Sequence, residues 1–274
     1  MTGYNSPKLR KDRHAEQYGD REVMPCPTCG APVELVRREK GIADHYAPFR
    51  EGLQEHLATY DEETQQRLRE ERKGKKTVAV VGMSPASSGL APYREKNVEC
   101  WGLNEAHLFD VMKKWDRWFQ LHSTSYLMKN MSLKGKPGHW DWLGLKHNKP
   151  IYLQFQNPLV PDSVEYPLQD ISNKFLSKIR RGTKKVKYYT STFSYMIALA
   201  LYEGFNRIEI YGFDMDMKQE YWKQRANAEF WLGVATGLGV EIVLPETSFI
   251  LSGILYGYRG IDYDRPVEPE DMDD

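Results

Sequence analysis

The sequence predicts an α/β fold, a mostly parallel sheet flanked by helices, with a small N-terminal knuckle and helical extension. Three stretches carry this prediction. TVAVVG from Thr77 is a short apolar strand ending in glycine, and NVECWGL from Asn97 is a second strand that runs into Asn104 and Glu105. YYTSTFSYMIALALYEGFNRIEIYGFDMDMKQEY, from Tyr188 to Tyr221, joins an apolar helix to a β-branched strand. Strands that alternate with helical patterns build parallel sheets.

Composition bounds the function classes. The chain has 274 residues, 41% hydrophobic and 28% charged, which fits one main globular domain with additions. Lys plus Arg and Asp plus Glu each number 38, so net charge gives no argument for nucleic acid or a membrane surface. No apolar run approaches the roughly 20 residues that span a bilayer, and MTGYNSPKLRKDRH lacks the apolar core of a secretion signal. With cysteines too few for a disulfide framework, the expected compartment is the cytoplasm.

In chain order, residues 1–76 read as an N-terminal extension. Residues 1–22 are polar and charged. Cys26 and Cys29 follow in MPCPTCG at the spacing of one zinc knuckle, and His45 and His56 can complete a Cys2His2 set; the alternative is a pair of reduced thiols in a tight turn. EGLQEHLATYDEETQQRLREERK from Glu51 is a charged helical stretch with Leu53, Leu57, Tyr60 and Leu68 as its packing face, a linker or a docking helix.

The main domain is expected over 77–258, with an acidic tail over 259–274. After the first strand, Gly82 opens a loop of small residues in which Ser84, Ser87 and Ser88 offer hydroxyls to a phosphate or ribose. The loop is neither GxGxxG nor a P-loop with its lysine, which disfavours nicotinamide cofactors and Walker-type ATP hydrolysis. Asn104 and Glu105 either read a ribose or base, or Asn104 caps a helix from Glu105 to Met112. A third strand, Asp116 to His122, delivers His122 to the same carboxyl edge, as an acid, a base, a phosphate ligand or a structural residue. Residues 123–169 read as a long insertion with a strand at Ile151 to Phe155, in which Trp140 and Trp142 stack on a sugar or base or else form a local core. A helix from Asp170 to Ile179 leads into the basic run Lys178, Arg180, Arg181, Lys184, Lys185 and Lys187, a solvated face or a polyanion surface.

Thr190, Ser191 and Thr192 precede a helical run, so one of these hydroxyls is a natural N-cap, and Gly204 ends the helix. Arg207 to Tyr211 follows as a strand with Ile208 and Ile210 on one face, closed by Gly212. Asp214, Asp216 and Glu220 then lie just past its carboxyl end, where open α/β sheets bind ligands. A helix from Lys223 to Gly237 with Phe230, Trp231, Val234 and Leu238 buried, and a strand from Val240 to Leu244, complete the pattern.

VAVVGMSPASS, CWGLNEA and YTSTFSYMIALALYEGFNRIEIYGFDM together resemble the Campylobacter-type sialyltransferases and their Rossmann-like relatives, the DUF115 proteins that include archaeal hydroxymethylpterin diphosphokinase. The chain also looks like uncharacterised bacteriophage proteins with this core; if phage-encoded, it would act in the host cytoplasm. The resemblance implies nucleotide contacts from Gly82, Ser84, Pro85, Asn104, Thr190 and Ser191, with a late carboxylate at Asp214. Those sialyltransferases carry a catalytic histidine in a later segment, whereas no histidine follows His147 here, so nucleotide binding is implied without sialyl transfer itself.

The expected function is a nucleotide-dependent transferase, chiefly a glycosyltransferase with a nucleotide-sugar donor. Gly82, Ser84, Ser87, Asn104, Glu105, Thr190 and Ser191 would hold the nucleotide, and Asp214, Glu220 or His122 would act as base. Two alternatives stand beside it: a Mg2+-dependent diphosphotransferase using Asp214 and Asp216, and a non-catalytic module that binds a nucleotide or nucleic acid. Zn2+ at Cys26, Cys29 and His45 is a separate expectation.

Overall fold

The computed structural model describes residues 62–108, 112–123, 125, 127, 138–213, 215, 219–246 and 248–252, with three short strands near the N-terminus. Those strands, and residues 85 and 219–222, are described by backbone alone. The strands are β1 (Val23–Pro25), β2 (Pro32–Val36) and β3 (His45–Pro48), paired antiparallel in the order β1-β2-β3. Cys26 and Cys29 lie outside the described residues, and of the proposed zinc ligands only the backbone of His45 is placed.

The main body is a 7-stranded sheet. Its strands are β4 (Thr77–Val81), β5 (Val98–Leu103), β6 (Arg117–Phe119), β7 (Ile151–Leu153), β8 (Ser163–Glu165), β11 (Arg207–Tyr211) and β12 (Glu241–Val243). Every pairing is parallel, in the order β12-β11-β4-β5-β6-β7-β8. The fold is therefore the expected α/β class. Residues 123–169, expected as an insertion, contribute β7 and β8 to the sheet itself. A two-residue hairpin, β9 (Arg180–Arg181) and β10 (Lys184–Lys185), turns at Gly182 and exposes the basic run.

Parallel sheets covered on both faces are built from continuous apolar runs, and β4, β7 and β11 are buried at every position. On one face, Val78, Val80, Ile208 and Ile210 pack with α5 (Thr192–Tyr202) and α6 (Gln219–Gly237). Helix α5 is apolar nearly all round, as a helix buried against both sheet and neighbour must be. Helix α6 starts four residues before the expected Lys223, and Leu238, expected in its buried stripe, is 58% exposed beyond its end. Trp231 is fully buried and Phe230 and Val234 pack against the core as expected, and Asn227, Ala228, Leu232 and Ala235 complete the buried face.

The other face holds Ala79, Val81, Cys100 and Tyr211, together with two charged residues, Arg207 and Glu209. Helix α1 (Glu62–Arg72) covers these charges. Arg72 donates to both carboxylate oxygens of Glu209 at 2.8 and 2.7 Å, and Arg207 and the Tyr211 hydroxyl donate to them at 2.7 and 2.8 Å. Arg207 also pairs with Glu71 and Glu241. Burial alone would raise the Glu209 carboxyl, but the donors from Arg72, Arg207 and Tyr211 hold it below its ordinary value. The charged stretch is thus a docking helix; Leu53, Leu57 and Tyr60 lie outside the described residues.

The remaining helices are the single turn α2 (Pro85–Ser88), α3 (His139–Leu143) and α4 (Leu168–Leu176). Among the described residues, no helix is long and apolar enough to cross a membrane.

Candidate active site at the carboxyl edge

Because the seven strands are parallel, their carboxyl ends share one edge, and the loops after them meet there. Chain order reverses between β4 and β11, the position at which open α/β sheets bind ligands. Here the two loops pack on one another. The Gly82 N–H donates to the Tyr211 carbonyl at 2.7 Å, and the Ser84 N–H donates to the Gly212 carbonyl at 3.0 Å. A Cβ on Gly82 would stand 2.2 Å from the Gly212 oxygen, so the close approach for which glycine is needed is between the strand ends. Ser87, expected to offer a hydroxyl to a phosphate, is fully buried and accepts from the Gly212 N–H at 2.8 Å. Ser84 accepts from the Ala86 N–H at 3.3 Å as the cap of α2.

The next strand end is more open. Asn104 does not cap an α-helix: the described residues that follow it form a 3-10 turn, Ala106–Leu108, and Asn104 itself adopts φ +48°. Asparagine tolerates this left-handed conformation better than most residues. Its N–H donates to Phe119 at 2.9 Å and its carbonyl accepts from the Trp118 indole at 3.1 Å, which fixes it to β6. Its side-chain oxygen accepts from the Thr192 hydroxyl at 3.2 Å, while its amide nitrogen has no hydrogen-bond partner among the described residues. Glu105 beside it is half-buried.

Thr192 is the first residue of α5, and the turn before it is tied down from α6. The Thr190 N–H donates to the Asn227 side-chain oxygen at 2.8 Å, the Thr190 hydroxyl donates to the Lys223 carbonyl at 3.2 Å, and Asn227 donates to the Tyr188 carbonyl at 3.0 Å. Ser191 occupies the N-cap position, but its hydroxyl meets the Ser194 hydroxyl at 3.2 Å rather than a backbone N–H, so the expected cap bond is not made. Phe193 packs on Phe213, 4.6 Å between ring centroids, which brings the loop after β11 to the same place. Asp214 and Asp216 in that loop lie outside the described residues, and Glu220 is placed by backbone alone in α6.

His122 lies three residues past β6, its side chain exposed on the rim of a cleft of about 250 Å³. Ser123, Ser125, Trp140, Gln154 and Phe155 line this cleft above a floor of Leu127 and Leu153. Phe155 is 70% exposed, an unusual position for a phenylalanine. The cleft opens at the ends of β6 and β7, to the side of the reversal point, whose crevice the glycine loops fill. Trp142, expected to stack on a ligand, instead lies flat on His107 at 4.1 Å and packs among Trp115, Trp118 and His147 as core.

Three site residues have no motif in the sequence. Gln120 is fully buried; its Oε1 lies 2.7 Å from His122 Nδ1 and its Nε2 lies 2.7 Å from His139 Nε2. His139 Nδ1 in turn lies 2.7 Å from His107 Nε2. Burial, then the neighbouring His139 and His147, push the His107 imidazole down to about 4 against the opposing pull of Glu105, so it is neutral near pH 7. A polar residue inside an apolar strand run, as in RWFQLH, is the signal that would have marked Gln120. Among the described residues, no cluster of His, Cys, Asp and Glu is arranged to hold a metal ion.

No family model and no curated protein matches the chain. Among solved structures it is similar to the Campylobacter jejuni sialyltransferase CstII in complex with the substrate analogue CMP-3FNeuAc, with 15% identity, a TM-score of 0.37, and 62% of this chain and 80% of that chain covered. It is also similar to the alpha-2,3-sialyltransferase of Campylobacter jejuni in apo form, with 15% identity, a TM-score of 0.38, and coverage of 63% and 76%. A third is the sialyltransferase CST-II in complex with a trisaccharide acceptor and CMP, with 15% identity, a TM-score of 0.35, and coverage of 62% and 80%. These structures are Campylobacter sialyltransferases, and no family model supports the DUF115 or bacteriophage side of the sequence resemblance.

Proposed function

We propose that this chain is a nucleotide-dependent transferase, chiefly a glycosyltransferase that uses a nucleotide-sugar donor. The observation that carries the reading is the Asn104–Thr192 hydrogen bond. It joins the polar end of β5 to the start of α5, and so sets an amide, hydroxyls and the N-terminus of a long helix around one point of the carboxyl edge. Anions and riboses are bound by such groups. Asn104, Glu105, Thr190 and Ser191 remain the donor contacts in this reading, whereas Gly82, Ser84 and Ser87 shape the loop beneath them.

The cleft at the ends of β6 and β7 receives the acceptor, with Trp140 and Phe155 as apolar surfaces for a sugar ring. His122 takes the proton from the acceptor hydroxyl as its oxygen attacks the anomeric carbon; the bond from that carbon to the phosphate oxygen breaks, and the nucleotide leaves with the electron pair. His122 takes this role in the reading because its side chain lines the cleft. His122→Ala should lower kcat by about 10²- to 10⁴-fold and leave donor affinity unchanged.

A thermal-shift panel of nucleotides and nucleotide sugars, with and without Mg2+, tests the reading directly. A genuine donor at about 100 times its Kd should stabilise the protein by roughly 2.7 kcal/mol. Silence across the whole panel would remove the transferase reading, and stabilisation that requires Mg2+ and a diphosphate would favour diphosphotransfer. A second reading, polyanion binding without turnover, is favoured by the exposed Arg180, Arg181, Lys184 and Lys185 of the hairpin. It requires affinity for single-stranded DNA that falls steeply with salt.

A further inference from the structure

One hydrogen-bonded chain runs from the cleft into the core: His122, Gln120, His139, His107. We infer that Gln120 and His139 are positioning residues that hold His122 as its Nδ1–H tautomer, which makes Nε2 the basic nitrogen of the ring. The inference rests on the transferase reading for its catalytic meaning but not for its geometry.

The direction of the chain follows from one group that has no choice. The backbone N–H of His122 can only donate, and it lies 3.3 Å from Gln120 Oε1. The amide oxygen must therefore face His122, because a flipped amide would set donor against donor. The His122 Nδ1, 2.7 Å from that same oxygen, must then carry a hydrogen. On the far side, the amide NH2 faces His139 Nε2, which must accept. The proton of His139 is thereby placed on Nδ1 and donated to His107 Nε2, an acceptor only while His107 is neutral. Gln120 is fully buried and His139 is 2% exposed, so water does not substitute for these partners. Trp142 lies flat over His107 and holds the far end in place.

The ring nitrogen that bonds a fixed partner decides which nitrogen remains basic. In this chain an uncharged amide plays that part, so the imidazolium formed on taking a proton keeps its Nδ1–H···Oε1 bond.

Nitrogen-15 NMR of histidine-labelled protein, without substrate, tests the assignment. The His122 signals are identified by their loss in His122→Gln. The wild type should show His122 with protonated Nδ1 and bare Nε2. Gln120→Leu should lower the share of His122 that carries its proton on Nδ1. Gln120→Glu should keep Nδ1–H on His122 while forcing a proton onto His139 Nε2, a change that mere loss of packing would not produce. Predominant Nε2–H on His122 in the wild type, or an unchanged tautomer in Gln120→Leu, overturns the inference. If Gln120→Leu does not fold, the wild-type and Gln120→Glu spectra decide alone. The assigned tautomer in a protein that turns over no donor would sink the transferase reading and keep this one; turnover with the opposite tautomer would do the reverse.

Discussion

Gly82 shows how a residue can be legible in sequence while its reason is not. A glycine after an apolar strand signals close backbone approach, and the sequence suggests a phosphate as the approaching group. In the fold the approaching group is the Gly212 backbone, at a distance a Cβ cannot share. Gly82→Ala should therefore destabilise the protein by about 3 kcal/mol or more, the upper end for overpacking, because backbone on both sides leaves nothing free to move. Urea unfolding measures this, and a loss below about 1 kcal/mol would show that the loops separate easily. Asn104 was legible as a polar residue at a strand's carboxyl end, and it follows directly on β5. Gln120, His139 and Asn227 were not legible in this way, because His139 and Asn227 meet partners 19 to 39 residues away in the chain, and the local Gln120–His122 contact belongs to no motif.

Strand β11 shows the same limit for an element. RIEIY alternates, and alternation normally means one dry face and one wet face. The bounds and the apolar face are as expected, but Arg207 and Glu209 are fully buried because α1 brings Arg72 from 137 residues away. Removing Arg72 takes two of the four donors from the buried Glu209 carboxylate while Arg207 and Tyr211 still hold it, so Arg72→Met should cost about 1–3 kcal/mol. The pair also gives stability a pH dependence whose sign is fixed. Glu209 is depressed in the fold, so its contribution is full above the unfolded carboxyl value of about 4.3 and is lost as pH falls through the folded value. Denaturant midpoints measured from pH 7 down to pH 2 should fall below about pH 4.3 in the wild type, with a shallower fall in Arg72→Met. Equal slopes in the two proteins would place the acid sensitivity elsewhere.

Across the whole molecule, the parallel sheet does more than frame the site, because it separates two jobs. The class of fold and the edge that carries polar residues were readable from strand and helix order. The cleft at β6 and β7 was readable only in pieces, His122 and Trp140, since residues 123–169 read as an insertion although they supply β7 and β8 to the sheet. In the proposed function Asn104, at the end of β5, serves the donor, and Phe155, past β7, serves the acceptor. Two strand spacings put these ends about 10 Å apart across the sheet. Substitutions at that separation without a shared partner add within about 0.5 kcal/mol. Asn104→Ala should then weaken donor-induced stabilisation with the acceptor KM unchanged, and Phe155→Ala should raise the acceptor KM with donor stabilisation unchanged. In kcat/KM the double variant should equal the product of the two single losses. A coupling beyond about 0.5 kcal/mol would mean that both side chains touch one ligand, and the division of the edge into donor and acceptor halves would have to be abandoned.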